Sequence, residues 1–145
     1  MKERDNGTCP NTPQTDLRWG ADYDKANTIA CFNRRYAESK GYWEGDTVTF
    51  KADNENEESF TYYDSITGKP LYVGPVGRTM AEFIAESEEF GWPSFRDEET
   101  VWDNVRVLWD GEVVSKDGSH LGHNLPDELG NRYCINLVCI AGNSV

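Results

Sequence analysis

The sequence predicts a mainly β fold, mostly antiparallel, carrying two or three short helices. Three observations predict it. Short apolar runs with a two-residue period, such as Phe60-Thr61-Tyr62-Tyr63 and Leu71-Tyr72-Val73, recur along the chain. Turn dipeptides, Gly74-Pro75, Asp110-Gly111 and Asp117-Gly118, separate such runs. A helical period shows only near Ile29 and near Phe83.

Taken in order, residues 1–20 are rich in Asn, Thr, Pro and Gly without a period, which predicts an irregular or strapped-down arm. Asp24 to Ser39 predicts a helix, with Ile29, Phe32 and Tyr36 on one face and Gly41 as its stop. Thr47-Val48-Thr49-Phe50 reads as a strand, and the acidic run Asp53 to Glu58 as a loop. Phe60–Tyr63 and Leu71–Val73 are strands joined through Asp64-Ser65-Ile66-Thr67-Gly68. Thr79 with Glu82 forms a capping box for a helix from Met80 to Glu89, whose apolar stripe is Met80, Phe83 and Ile84. Val101–Leu108 and Glu112–Ser115 form a hairpin on a two-residue turn at Asp110-Gly111. A last strand is expected from Arg132 to Ile140.

The length of 145 residues suits one hydrophobic core, and an aromatic fraction of 12% supplies bulk to fill it. With 14 Lys and Arg against 26 Asp and Glu, the net charge is −12. Such a chain is a poor ligand for nucleic acid and is repelled by anionic membranes. No apolar run approaches the roughly 20 residues of a membrane span. The polar start, Met1-Lys2-Glu3-Arg4-Asp5, leads to the expectation of an intracellular protein, cytoplasmic or organellar if a targeting segment precedes this numbering. The cysteines are four, Cys9, Cys31, Cys134 and Cys139, and none form a CxxC pair, so a four-thiolate zinc site has no support.

Chemistry concentrates in three segments. In the last strand Arg132, Cys134 and Asn136 share a face, about 7 Å apart in succession, while Tyr133, Ile135, Leu137 and Cys139 look to the core. A cation beside a thiol lowers its pKa, and an amide can donate to an oxygen bound next to sulfur. The alternative is a small buried Cys134 flanked by solvated Arg132 and Asn136. The second segment, Ser119-His120-Leu121-Gly122-His123-Asn124-Leu125-Pro126-Asp127, holds both histidines of the chain. Proton transfer suits them; a metal site of His120, His123 and Asp127 is the competing reading. The third, Phe90-Gly91-Trp92-Pro93-Ser94-Phe95, is either a rigid aromatic display for a methylsulfinyl group or a plain hydrophobic turn.

In order, these segments resemble the methionine sulfoxide reductase B family. Gly91-Trp92-Pro93-Ser94-Phe95 is similar to its GWPSF motif, His120-Leu121-Gly122-His123 with Pro126-Asp127 to its HLGHxFxD segment, and Arg132-Tyr133-Cys134-Ile135-Asn136 to its RYCxN strand. The resemblance covers residues from about 60 to 142. It divides the chain into an unmatched arm and helix, 1–45, and a β domain, 46–145.

The resemblance implies a β-tent of two antiparallel sheets with short peripheral helices. It implies reduction of methionine-R-sulfoxide, free or in proteins, by a monomer. Cys134 would be the nucleophile, and His120, His123 and Asn136 would bind the oxygen and deliver protons. Asp127 and Arg132 would orient that set, and Trp92, Phe95 and Leu125 would form the substrate pocket. Cys134 would pass through a sulfenic acid. No bound cofactor is implied; an external thiol reductant of thioredoxin or glutathione type would regenerate it, or Cys31 would act as an internal resolving thiol.

Departures from the family pattern accompany the likeness. Where many members bind zinc through two CxxC pairs, the chain has Asp64-Ser65-Ile66-Thr67 and Val114-Ser115-Lys116-Asp117. Leu125 replaces the usual aromatic, Phe90 fills the slot of a resolving cysteine in some relatives, and the segment from Phe95 to His120 is short. The second functional expectation is a non-catalytic relative that serves as a binding module on the same fold.

Overall fold

The computed structural model describes residues 12–31 and 59–145. The expected strand at Thr47–Phe50, and the part of the first helix that holds Phe32 and Tyr36, lie outside them.

Two antiparallel sheets form the body of the protein. Strands β1 (Phe60–Tyr63) and β2 (Pro70–Gly74) make a two-stranded sheet. Strands β3 (Ser94–Phe95), β4 (Val105–Val107), β5 (Glu112–Ser115), β6 (His120–Asn124) and β7 (Tyr133–Ile135) make the second, in the order β3-β7-β6-β5-β4. Helix α1 spans Tyr23–Cys31 and helix α2 spans Met80–Phe90. Among the described residues no helix is long and apolar enough to cross a membrane.

Helix α2 begins as its sequence predicts. The Thr79 side chain accepts from the Glu82 N–H at 3.1 Å, and the Glu82 carboxylate accepts from the Thr79 N–H at 2.9 Å. Met80 and Phe83 turn inward. Gly91 ends the helix at φ 80°, a left-handed cap that glycine takes without a Cβ penalty.

The core lies between the sheets. Tyr62, Leu71, Tyr72, Phe83, Phe95, Leu121, Ile135, Leu137 and Ile140 are all at 0% exposure. Burying each such side chain stabilises the fold by roughly 1.5–3 kcal/mol. Tyr72 stacks on Phe95 with centroids 4.3 Å apart, and Phe83 and Tyr62 close around the same ring. The described part of the N-terminal segment shares this core: Trp19, Ala26, Ile29 and Ala30 belong to the same cluster. It is strapped down by backbone bonds from Gln14 to Ser65 and from Arg18 to Ala141, each 2.7 Å.

Several elements differ from expectation. The last strand stops at Ile135, and Leu137–Cys139 is a 3-10 turn. Parity arguments beyond Ile135 therefore do not apply, although Cys139 is buried all the same. Val101–Asn104 is a turn, which confines β4 to three residues. Asp110-Gly111 is not a two-residue turn. Gly111 N–H bonds Leu108 O, and Leu108 N–H bonds Glu112 O, which makes a three-residue loop with Gly111 at φ 92°. Ser115 to Ser119 repeats that pattern, with Gly118 at φ 98°.

The turns at 64–67 and 115–119 come together although they are far apart in the chain. Asp64 accepts from Ile66 N–H at 2.7 Å and from the Ser119 hydroxyl at 3.4 Å, and Ser119 pairs with Ser115 at 2.7 Å. Lys69 bridges to Asp117 at 3.0 Å. Hydroxyls, carboxylates and an ammonium fill this contact.

Candidate active site

The interior strand β7 carries Cys134 between two neighbours. In register, Cys134 faces Ser94 of β3 on one side and His123 of β6 on the other. Directly paired residues present their side chains to the same face, so a hydroxyl, a thiol and an imidazole form a row across three strands. Gly122 permits the close approach of β6 and β7: a Cβ there would stand 2.0 Å from the Cys134 carbonyl oxygen.

The end of α2 brings the indole to this row. Gly91 N–H and Trp92 N–H both bond Ser87 O, and Pro93 O then accepts from Ile135 N–H at 2.9 Å. The turn thus docks beside β7 and delivers Trp92. Trp92, Gly122, His123, Leu125, Cys134 and Asn136 line one small pocket of about 60 Å³. Leu125 reaches it from the segment after β6, anchored by its N–H on Arg132 O at 2.8 Å.

A bulge decides where the second histidine goes. Val113 pairs with Gly122 and Val114 with His120, which leaves Leu121 as an extra residue in β6. In an unbroken strand, residues 120 and 123 would face opposite sides. Here Glu112, the cross-strand partner of His123, accepts a hydrogen bond from Nδ1–H of His120 at 3.0 Å. The bulge has brought His120 to the side of His123. His120 is buried and does not line the pocket; it stands behind it with Glu112.

Arg132 is the cation at the sulfur. Its Nη1 lies 2.8 Å from Cys134 Sγ, its guanidinium carbon lies 3.6 Å from the Phe90 ring centroid, and its Nε lies 3.7 Å from Asp127 Oδ2. Asp127 is gripped by Arg96 through two bonds of 2.8 and 2.9 Å, and Glu86 bridges Arg96 to Arg78. Arg96, foremost, holds the Asp127 carboxyl down at about 2.

The Cys134 thiol is not lowered in pKa as its neighbour Arg132 predicts. Arg132 and the Ser94 hydroxyl do favour the thiolate, but burial outweighs them and the thiol stands above its ordinary value. The environment is a compromise in which the guanidinium limits a desolvation penalty. Cys139, wholly enclosed, is pushed much further up by burial and by Asp64.

Other expected site residues fall as follows. Asn136 is in the pocket wall, with its amide nitrogen on Leu121 O at 3.0 Å and its buried Oδ1 without a hydrogen-bond partner among the described residues. Phe95 is not a pocket wall: it is the residue on which Tyr72 stacks, and its strand position opposite Tyr133 turns it to the core. Cys31 is buried on α1 and disulfide-bonded, while Cys134 and Cys139 are free thiols. In that state Cys31 offers no thiol to Cys134. Among the described residues no group of three His, Cys, Asp or Glu is arranged to hold a metal ion, and Asp127 is occupied by Arg96.

Sequence reasoning missed Glu112, Phe90, Arg96, Glu86 and Ser94 as members of the site. Glu112 and Ser94 follow from strand register, which is invisible before pairing is known. The Glu86–Arg96–Asp127 chain joins a helix, a strand end and a loop, and no spacing in the sequence signals it. The chain matches no family model, and no solved structure matches its fold.

Proposed function

We propose that this protein reduces methionine-R-sulfoxide, free or in proteins, through Cys134, as the resemblance to methionine sulfoxide reductase B suggests. The observation that carries the reading is the single pocket shared by Trp92, His123, Cys134 and Asn136. These residues come from three separate segments of the chain. A second support is that Asp64–Thr67 and Val114–Asp117, the stretches that correspond to the zinc-binding pairs of many members, lie in turns that meet through Ser119 on Asp64 and Lys69 on Asp117. Their meeting is what the resemblance requires even where the thiols are absent.

The pocket suits the chemistry. A methyl group fits against the indole face of Trp92, and the sulfoxide oxygen is then open to His123 and to the second amide hydrogen of Asn136. The Cys134 sulfur attacks the sulfoxide sulfur, its thiol proton passing by way of His123 to the sulfoxide oxygen as the sulfur–oxygen bond of the substrate breaks. The oxygen ends on Cys134 as a sulfenic acid, and methionine leaves; Cys134 is oxidised by two electrons and the substrate reduced by two. Two equivalents of an external thiol, of thioredoxin or glutathione type in a cytoplasmic or organellar setting, then return Cys134 to the thiol with loss of water. His120, paired with Glu112, stands behind His123 as a proton reserve.

The test is reduction of each sulfoxide epimer with dithiothreitol. Wild type should turn over the R epimer and spare the S epimer, and Cys134→Ser should be inactive. No turnover by wild type, or full turnover by Cys134→Ser, overturns the reading. The raised thiol pKa and the half-exposed Leu125 favour a second reading, a non-catalytic binding module on this fold. Measurable affinity for a sulfoxide peptide without product distinguishes it.

A further inference from the structure

Arg132 meets the nucleophile through Nη1 alone, and what keeps it there is unusual. The side chain is buried, its Nε has no hydrogen-bond partner among the described residues, and the nearest carboxylate oxygen stands 3.7 Å away. A guanidinium so thinly bonded would be expected to rotate toward Asp127 and make a two-pronged pair with it. Asp127 is not free for a two-pronged pair, because Arg96 engages both its oxygens and the Leu129 N–H takes the second site on Oδ1. The remaining close contact is the Phe90 ring, 3.6 Å from ring centroid to guanidinium carbon, a face-on cation–π distance.

We propose that Phe90, the last residue of α2, is a positioning residue for Cys134: its ring face holds the Arg132 guanidinium against the sulfur. This rests on the reading of the pocket as a thiol site but not on what substrate the thiol meets. Phe90 touches no reacting atom. It acts by denying the guanidinium a second orientation, and the Gly91 cap fixes the ring by ending the helix there. The other groups around the sulfur are Ser94 on β3, His123 on β6 and Glu86 on α2, the last opposing the thiolate. None of them supplies the fixed positive charge that Arg132 supplies.

The pH profile of Cys134 alkylation by iodoacetamide, read by mass spectrometry, tests this without any turnover assay. Phe90→Leu, and Phe90→Met as a second variant that keeps bulk without a ring, should move the inflection up by about one unit and slow alkylation at neutral pH by about tenfold. Phe90→Tyr should keep the wild-type profile. An unchanged profile in Phe90→Leu or Phe90→Met, or a shift to lower pH as water enters, overturns the proposal. Should these variants fail to fold, the wild type still decides: Arg132 side-chain protons should show upfield ring-current shifts in NMR, and ordinary positions would refute the stacking. An inactive wild type with the expected alkylation shifts sinks the reductase reading and leaves this one standing.

Discussion

Nη1 of Arg132 lies 2.8 Å from the Sγ of Cys134, a charged donor set against a sulfur that burial would otherwise keep strongly protonated. Removing the charge should leave burial unopposed. Arg132→Gln is expected to raise the Cys134 pKa further and to slow its alkylation at pH 8 by about tenfold, the effect of roughly one pKa unit. Cys139 alkylation in the same sample should be slower than that of Cys134 in both proteins. Equal rates at the two cysteines would remove the role given to Arg132.

Asp127 titrates far below its ordinary 3.8, at about 2, because Arg96 holds it ionised. A carboxylate with a depressed folded pKa contributes stability above its unfolded pKa and loses it as pH falls through the folded one. Wild type should therefore be more stable than Asp127→Asn at neutral pH. The gap should narrow progressively from about pH 4 to about pH 1 in urea unfolding at stepped pH. A gap undiminished at pH 2 would mean the loss is steric.

Gly122 faces the backbone of β7 with no room for a side chain, since a Cβ would fall 2.0 Å from Cys134 O. Gly122→Ala must separate β6 from β7, the two strands that align His123 with Cys134. A loss of about 3 kcal/mol or more is expected, in the range of severe core overpacking. Denaturant midpoints check it, and a near-wild-type midpoint would contradict the described register.

Tyr72 is wholly buried, stacked on Phe95, and its hydroxyl has no hydrogen-bond partner among the described residues. An unsatisfied buried hydroxyl costs about 1–3 kcal/mol. Tyr72→Phe keeps the ring and deletes the penalty, so it should raise stability by up to about 1 kcal/mol. A clear destabilisation would show that the hydroxyl is served after all.

Much of the fold was legible where local chemistry decides it. The capping box at Thr79 and Glu82, β1, β2 and β5 are where periodicity and capping place them. The final strand was overextended because Leu137, Val138 and Cys139 are apolar, and apolar residues bury equally well in a 3-10 turn. Strands β3 and β6 carry no strand period in the sequence. Ser94-Phe95 is too short to show a period, and Leu121 interrupts the alternation of β6 as a bulge. For the candidate site, the motifs brought Trp92, His123, Leu125, Cys134 and Asn136 to one pocket. Phe95 and Trp92 look alike as aromatics flanking a Pro, but Phe95 is paired with Tyr133 in β3 and buried in the core, whereas Trp92 lies in the turn before the strand and lines the pocket.

Cys134 sits on an interior strand, flanked on both edges, with 4% of its surface exposed. Such a sulfur is held in the sheet; among the described residues, the small pocket it shares with Trp92, His123 and Leu125 is where a visitor can meet it. On the proposed chemistry, the oxidised guest and the restoring thiol must use that same doorway by turns. Each has to depart before the other is admitted, which makes a two-stroke kinetic pattern a matter of architecture.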